Sequence, residues 1–220
     1  MTIRVLLADD HRIMREGLRS LLDQQDDMKV VGEAEDGREA VRLACKLAPS
    51  VAVVDVAMPD LNGIETARRI LADSPHVKVL ALSMHMDRRL VLGMLDAGAS
   101  GYLLKDCAFD ELVTAIRAVA AGGVYLSPKI AGHVVNDRAR HADPAASPSS
   151  ALTAKERETV QLIAEGRSTK EIAALMGVSI KTVETHRQHV MTKLGYRSVA
   201  ELTKFAIREG ITFIEDPILN

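Results

Sequence analysis

The sequence predicts two domains: an α/β doubly wound five-stranded parallel sheet, followed by an all-α four-helix domain that contains a helix-turn-helix. Three observations carry this prediction. Up to about residue 122, short apolar runs alternate with amphipathic stretches. Residues 136–150 then read NDRARHADPAASPSS, with two Pro, three Ser and no large apolar side chain. Beyond them helix-start signals crowd together and no strand-like run occurs. At roughly 100 to 200 residues per domain, 220 residues suit one large or two small domains, and the linker-like composition decides for two.

The strand-like runs are residues 3–8, 30–34, 51–56, 77–83 and 102–104. Between and after them, residues 12–24, 38–47, 64–72, 88–96 and 109–121 place Leu, Ile, Val or Ala at helical spacing. Five βα units in alternation require crossover connections, hence a parallel sheet covered by helices on both faces. This first domain spans residues 1–122. Residues 123–150 form a short helix, opened by Ser127-Pro128, and the linker; the second domain spans 151–215.

In the second domain Thr153 with Glu156, and Ser168 with Glu171, have the spacing of capping boxes, and Ser179 is a good N-cap. The predicted helices are 154–165, 169–176, 180–194 and 199–208. Gly177-Val178-Ser179 is the short turn between the second and third, Gly177 supplying a left-handed stop.

Composition narrows the function. With 47% hydrophobic and 26% charged residues the chain is an ordinary globular one. Aromatics make up only 3%, with no Trp, too few for the stacking platforms of single-strand nucleic-acid binders. Cys45 and Cys107 stand alone, without disulfide or zinc spacing. The apolar N-terminal stretch is too short for a signal peptide and is broken by Asp9 and Asp10, and no run reaches membrane length, so a cytoplasmic protein without membrane contact is expected. The net charge of −2 conceals a local excess: residues 167–208 hold 8 basic against 3 acidic residues, a phosphate-facing patch.

In an open doubly wound sheet, ligands bind at the carboxyl ends of the strands. Asp9 and Asp10 end the first predicted strand, Asp55 the third and Ser83 the fourth, and Lys105 follows the fifth. Three carboxylates at one sheet edge repel one another unless a cation joins them. Carboxylate oxygens with water and a phosphate oxygen suit Mg²⁺. Lys105 adds a point charge and Ser83 a hydroxyl donor for an anion placed on Asp55, a set suited to phosphoryl transfer onto a carboxylate. Taken singly, a strand-end Asp is a turn or helix cap and a lone Lys is solvated; five such residues at the ends of four strands favour function. His11 and His85 are read as structural.

These segments resemble a family. VLLADDH at 5–11, VVDVAMPDLNGIE at 53–65, LALSMH at 80–85 and GASGYLLKD at 98–106 are similar to the CheY-like receivers of two-component response regulators. The resemblance implies that Asp55 is the phosphoacceptor and that Asp10 and Asp55 ligate Mg²⁺ directly, Asp9 through water, with the backbone carbonyl of Ala57. It further implies that Ser83 and Lys105 hold the phosphoryl oxygens and that Tyr102 is the aromatic that turns inward when Ser83 shifts. Asp106 stands where such receivers often carry Pro.

The second domain has its own signature. On the predicted helix 180–194, Val183, Val190, Met191 and Leu194 share a core face, while Lys181, Glu184, Thr185, Gln188 and Thr192 cluster opposite. The string LTAKERETVQLIAEGRSTKEIAALMGVSIKTVETHRQHVMTKLGYRSVAELTKFAI resembles the output domain of the LuxR/FixJ/NarL branch. That resemblance implies base-edge contacts from Glu184, Thr185 and Gln188 and phosphate contacts from Lys181, Thr182 and Arg187. Glu184 can accept from cytosine N4, and Gln188 can pair with adenine. Val199, Leu202, Phe205 and Ala206 form an apolar stripe on the last helix. It either pairs two DNA-binding domains, as in the family, or belongs to the domain's own core.

The expected function is transcriptional regulation: a sensor histidine kinase phosphorylates Asp55, and the protein then dimerises and binds double-stranded promoter DNA in the major groove. Two alternatives differ in class. A phosphorylation-independent DNA binder would keep a vestigial receiver. A Mg²⁺-dependent aspartyl-phosphate phosphohydrolase would need an acid two residues after its nucleophile, where this chain has Ala57.

Overall fold

The computed structural model describes residues 2–132 and 151–213. The predicted linker at 136–150 and the predicted end of the second domain at 215 lie outside the described residues. The chain divides into two compact units, Met1–Ala142 and Asp143–Asn220.

In the first unit β1 (Ile3–Ala8), α1 (Arg12–Leu22), β2 (Met28–Ala34), α2 (Gly37–Leu47), β3 (Val51–Asp55), α3 (Gly63–Asp73), β4 (Lys78–Ser83), α4 (Arg88–Asp96), β5 (Gly101–Leu104) and α5 (Phe109–Ala120) alternate as expected. The strands stand in the order β2-β1-β3-β4-β5-β6, and every pair is parallel. All five residues of β3 are buried, which is why VAVVD reads as one apolar run rather than an alternation: helices cover both of its faces. The order reverses between β1 and β3, so the ends of these two strands flank the crevice where such sheets bind ligands.

The sheet has six strands, not the predicted five. β6 (Tyr125–Leu126) adds to the outer edge of β5, with Gly101 opposite Tyr125 and Tyr102 opposite Leu126. The Tyr125 amide donates to the Ser100 carbonyl at 3.0 Å, and the Ser127 amide donates to that of Tyr102 at 3.2 Å. Without this segment the edge of β5 would present unpaired backbone groups. A two-residue strand carries no periodicity, so only the tertiary edge reveals it. Residues 128–132 are helical, beginning where Ser127-Pro128 predicts, and Ile130 is fully buried. The described peptide bonds are all trans, that between Lys105 and Asp106 included.

The second unit packs α6 (Ala154–Ala164), α7 (Thr169–Met176), α8 (Ile180–Leu194) and α9 (Val199–Arg208) around one core. Both predicted capping boxes form, and a third, Ser198 with Glu201, starts α9. That third box follows the same S-x-x-E spacing, which was legible and not read. Gly177 ends α7 at φ 65°, a left-handed conformation that would strain any side chain, and Ser179 then caps α8 by accepting from the Thr182 amide.

Of the two readings of the apolar stripe on α9, the core is the one the structure favours, for all but Val199. Leu202 and Ala206 are 0% exposed and Phe205 is 1% exposed, leaving only Val199 at 39%. Four short helices enclose little volume, and the Phe205 ring fills it, tilted against Tyr196 with centroids 5.6 Å apart and covered by the Arg208 guanidinium. Phe205→Ala is therefore expected to destabilise the unit by about 3–5 kcal/mol in urea unfolding, equally at low and high protein concentration. A loss that depends on concentration would instead place this ring between two copies.

Candidate functional site

The β1 and β3 ends bring Asp9, Asp10 and Asp55 together, and β5 delivers Lys105 between two of them. The Lys105 ammonium lies 2.7 Å from Asp9 Oδ2 and 2.8 Å from Asp55 Oδ2, and all three side chains are almost wholly shielded from solvent. Asp55 Oδ1 accepts from the Ala57 amide at 3.2 Å, which fixes the carboxylate plane over the turn after β3. Gly63, which opens α3, donates its amide to the Val56 carbonyl. A Cβ there would come within 2.2 Å of the Asp55 carbonyl oxygen and 2.7 Å of the Val56 Cα, so only glycine lets α3 begin against the strand end that carries Asp55.

Burial pushes the Asp55 carboxyl above its ordinary range; the Lys105 ammonium opposes this and the nearby Asp9 adds to it. Burial alone would depress the Lys105 ammonium, but Asp55 and Asp9 together outweigh it and hold the lysine above its ordinary value. The lysine is thus locked in its charged form by the two carboxylates it separates.

Asp9, Asp10, His11 and Asp55 can each offer one ligand atom, with these atoms within 4.8 Å of one another. His11 Nδ1 lies 3.1 Å from Asp9 Oδ1 and 3.0 Å from Asp10 Oδ1, and the His11 amide donates to Asp9 Oδ1. His11, read as structural, is the N-cap of α1, yet its ring also joins the acidic cluster. Only the adjacency in Asp-Asp-His hinted at this. The hard oxygen donors of the three carboxylates fit Mg²⁺, and the gathering of three acids around one lysine leaves net negative charge for a cation to offset.

Ser83, fully buried at the end of β4, accepts from the His85 amide at 3.1 Å. Tyr102 is also fully buried and donates its hydroxyl to the His85 carbonyl at 2.8 Å, so the ring occupies the inward position. Burial pushes its phenol up to about 12. His85, read as structural, thus links Ser83 and Tyr102 through its two backbone polar groups.

In the second unit α8 presents Lys181, Glu184, Thr185, Arg187 and Gln188 exposed, with Thr182 half-buried, while Val183 and Val190 are in the core. The Thr185 hydroxyl donates to the Lys181 carbonyl at 2.9 Å, and those of Ser179 and Thr182 pair at 2.8 Å. Lys193 turns to its own domain, 2.7 Å from the buried Glu156. Burial opposes ionisation of Glu156, but Lys193 and Thr153 outweigh it and lower the carboxyl below its ordinary value. The basic patch is therefore narrower than its count suggests.

A parallel sheet with carboxylates and a buried lysine at its carboxyl edge, joined in one chain to a helix-turn-helix, defines a signal-receiving regulator of transcription. Comparison with known proteins agrees: residues 5–117 match the response regulator receiver domain, and residues 150–206 match the bacterial regulatory proteins of the luxR family. The transcriptional regulatory protein LiaR of Bacillus subtilis strain 168 is 41% identical over 209 residues, covering 95% of this chain and 99% of that protein. Among solved structures, the response regulator ChrA of a heme-sensing two-component system is 35% identical, covering 96% of this chain and 98% of that one with a TM-score of 0.53. The RcsB response regulator of Salmonella typhimurium, in a structure concerned with conformational dynamism for DNA interaction, is 28% identical, covering 93% and 97% with a TM-score of 0.59. The chain belongs to the two-component response regulators with a LuxR-type DNA-binding output domain. Members of this family regulate transcription and are not enzymes, so the phosphohydrolase alternative falls.

Replacing Lys105 by Met should leave Asp9 and Asp55 facing each other uncompensated, at a cost of about 3–5 kcal/mol at pH 7.5. Removing the lysine takes away a charge that lowers Asp55, so its carboxyl rises further above the unfolded value. The folded variant then binds protons more tightly than the unfolded chain, and its stability relative to wild type should recover as pH falls towards 5.5. Urea unfolding at the two pH values checks the sign; a deficit that grows on acidification would contradict it.

Proposed function

We propose that a sensor histidine kinase phosphorylates Asp55 and that this switches promoter binding through α8. The observation that carries the reading is the Lys105 ammonium bridging Asp9 and Asp55 at the switch point of the sheet, beside Asp10. In the reaction an Asp55 carboxylate oxygen attacks the phosphorus of the kinase phosphohistidine. The phosphorus–nitrogen bond breaks, its electron pair stays on the imidazole nitrogen, and an acyl phosphate forms on Asp55. Asp9, Asp10, Asp55 and the backbone carbonyl of Ala57 are the residues to hold Mg²⁺, which supplies charge neutralisation for the incoming dianion.

Lys105, already charged and desolvated, exchanges its contact with Asp55 for phosphoryl oxygens, and the Ser83 hydroxyl donates to another. A shift of Ser83 draws on the His85 amide that it accepts, and the His85 carbonyl holds the Tyr102 hydroxyl. The inward position of Tyr102 is thereby coupled to the occupancy of Asp55 and favoured as a population.

The receiver comprises residues 1–122 together with β6, which the segment 123–150 contributes to its sheet edge, and the output domain comprises residues 151–215. α8 enters the major groove with Glu184, Thr185 and Gln188 at base edges and Lys181, Thr182 and Arg187 at phosphates. A homodimer reads two half-sites about 10 bp apart, and its contacts lie elsewhere than the buried side chains of Leu202, Phe205 and Ala206. No described helix is long and apolar enough to cross a membrane, and the work of such a regulator, on promoter DNA, is in the cytoplasm.

The test treats wild type and Asp55→Asn with Mg²⁺ and acetyl phosphate, following intact mass, oligomeric state and DNA affinity together. Wild type should gain one phosphoryl group, dimerise and bind DNA more tightly, and Asp55→Asn should do none of these. Equal DNA binding by both, with Asp55 unmodified, would establish the phosphorylation-independent alternative. On a defined operator, Gln188→Ala should cost about 1–3 kcal/mol at one base pair only. Arg187→Ala should weaken binding to all sequences and reduce the salt slope by about 0.9.

A further inference from the structure

Ile180 opens α8 and is 49% exposed, outside the core cluster that claims Val183 and Val190. Among the described residues of the second unit, Val199 is the one other large apolar side chain so exposed, and it lies on a different helix. A solitary exposed isoleucine is ordinary on a protein surface. This one stands within a segment of net positive charge, on the first turn of the helix whose N-terminal residues approach base edges in a helix-turn-helix. Side chains on a helix lean towards its N-terminus, so Ile180 extends beyond the first turn rather than back along α8.

The hydrogen-bonding capacity around it is partly spent. The Thr185 hydroxyl proton is committed to the Lys181 carbonyl, and the hydroxyls of Ser179 and Thr182 pair with each other. Within this first turn, then, two hydroxyls are already engaged, and Ile180 offers only apolar surface. The one apolar group at a base edge in the major groove is the C5 methyl of thymine.

We propose that Ile180 is a specificity-determining residue that packs on a thymine methyl at one position of each half-site. This deepens the reading of α8 as the recognition helix and rests on it. Removing that methyl, by replacing thymine with deoxyuridine, leaves every hydrogen-bonding group of the base pair in place. The loss of one methyl's burial corresponds to about a four-fold change in affinity.

The experiment begins with selection of binding sites from a random duplex pool by the full-length protein with Mg²⁺ and beryllofluoride. Each thymine of the selected site is then changed in turn to deoxyuridine, and affinities are measured by fluorescence anisotropy for wild type and Ile180→Ala. The exposed position and the high helix propensity of alanine preserve the fold, which a thermal melt confirms. At one thymine per half-site wild type should lose about four-fold. Ile180→Ala, already weaker on the thymine site, should lose nothing further there. If methyl removal costs both proteins equally at every thymine, or costs neither anything, the Ile180 contact is overturned while α8 keeps its role. If wild type enriches no sequence at all, the recognition-helix reading falls, and this inference with it.

Discussion

The receiver is organised around one cation held between two buried carboxylates. Taking Lys105, Asp9 and Asp55 out of water is costly, and each is tolerable only because the others are present. The requirement propagates outward. β1, β3 and β5 must end within a residue or two of one another, so the register of the central strands is constrained by where three charges have to meet. α3 must begin directly against the backbone of Asp55, and this excludes any side chain at Gly63. A compact, desolvated site short of positive charge is what the proposed function requires, since a divalent cation and a phosphoryl group would each offset the charge the other brings.

The second unit obeys a different economy. Its helices are short, so their ends make up much of their length, and three capping boxes satisfy amides that packing cannot reach. The small interior leaves little apolar surplus: apart from Val199 the α9 stripe is consumed by the core, and the exposed face of α8 is polar except at its first residue. Lys193 shows that charge in this unit also serves the fold, since it neutralises a glutamate that the capping box at Thr153 buries.

Much of this was legible in the sequence because the signals are local or strongly periodic. Helix caps, apolar runs five or six residues long and the carboxylates that terminate them can be read residue by residue. α4, α7, α8 and α9 have the bounds their spacing predicts. What escaped depends on tertiary placement. β6 is a strand only because β5 has an open edge beside it, and no two-residue segment announces that. The burial of Leu202, Phe205 and Ala206 follows from the volume the other three helices leave, which spacing on α9 alone does not reveal. His11 was read as structural, and it is the N-cap of α1; that its ring also meets Asp9 and Asp10 depends on the backbone turn after β1. His85 acts through its backbone, where side-chain chemistry gives no sign.

The central claim is that this cluster is built to carry a phosphoryl group on Asp55 and on no other residue. The most direct measurement is to phosphorylate the full-length protein with acetyl phosphate and Mg²⁺, trap the acyl phosphate by borohydride reduction, and locate the reduced residue by peptide mass spectrometry. The account predicts a single modified position, residue 55. Modification at Asp9 or Asp10, or a DNA affinity that responds to phosphodonor with no residue modified, would contradict it.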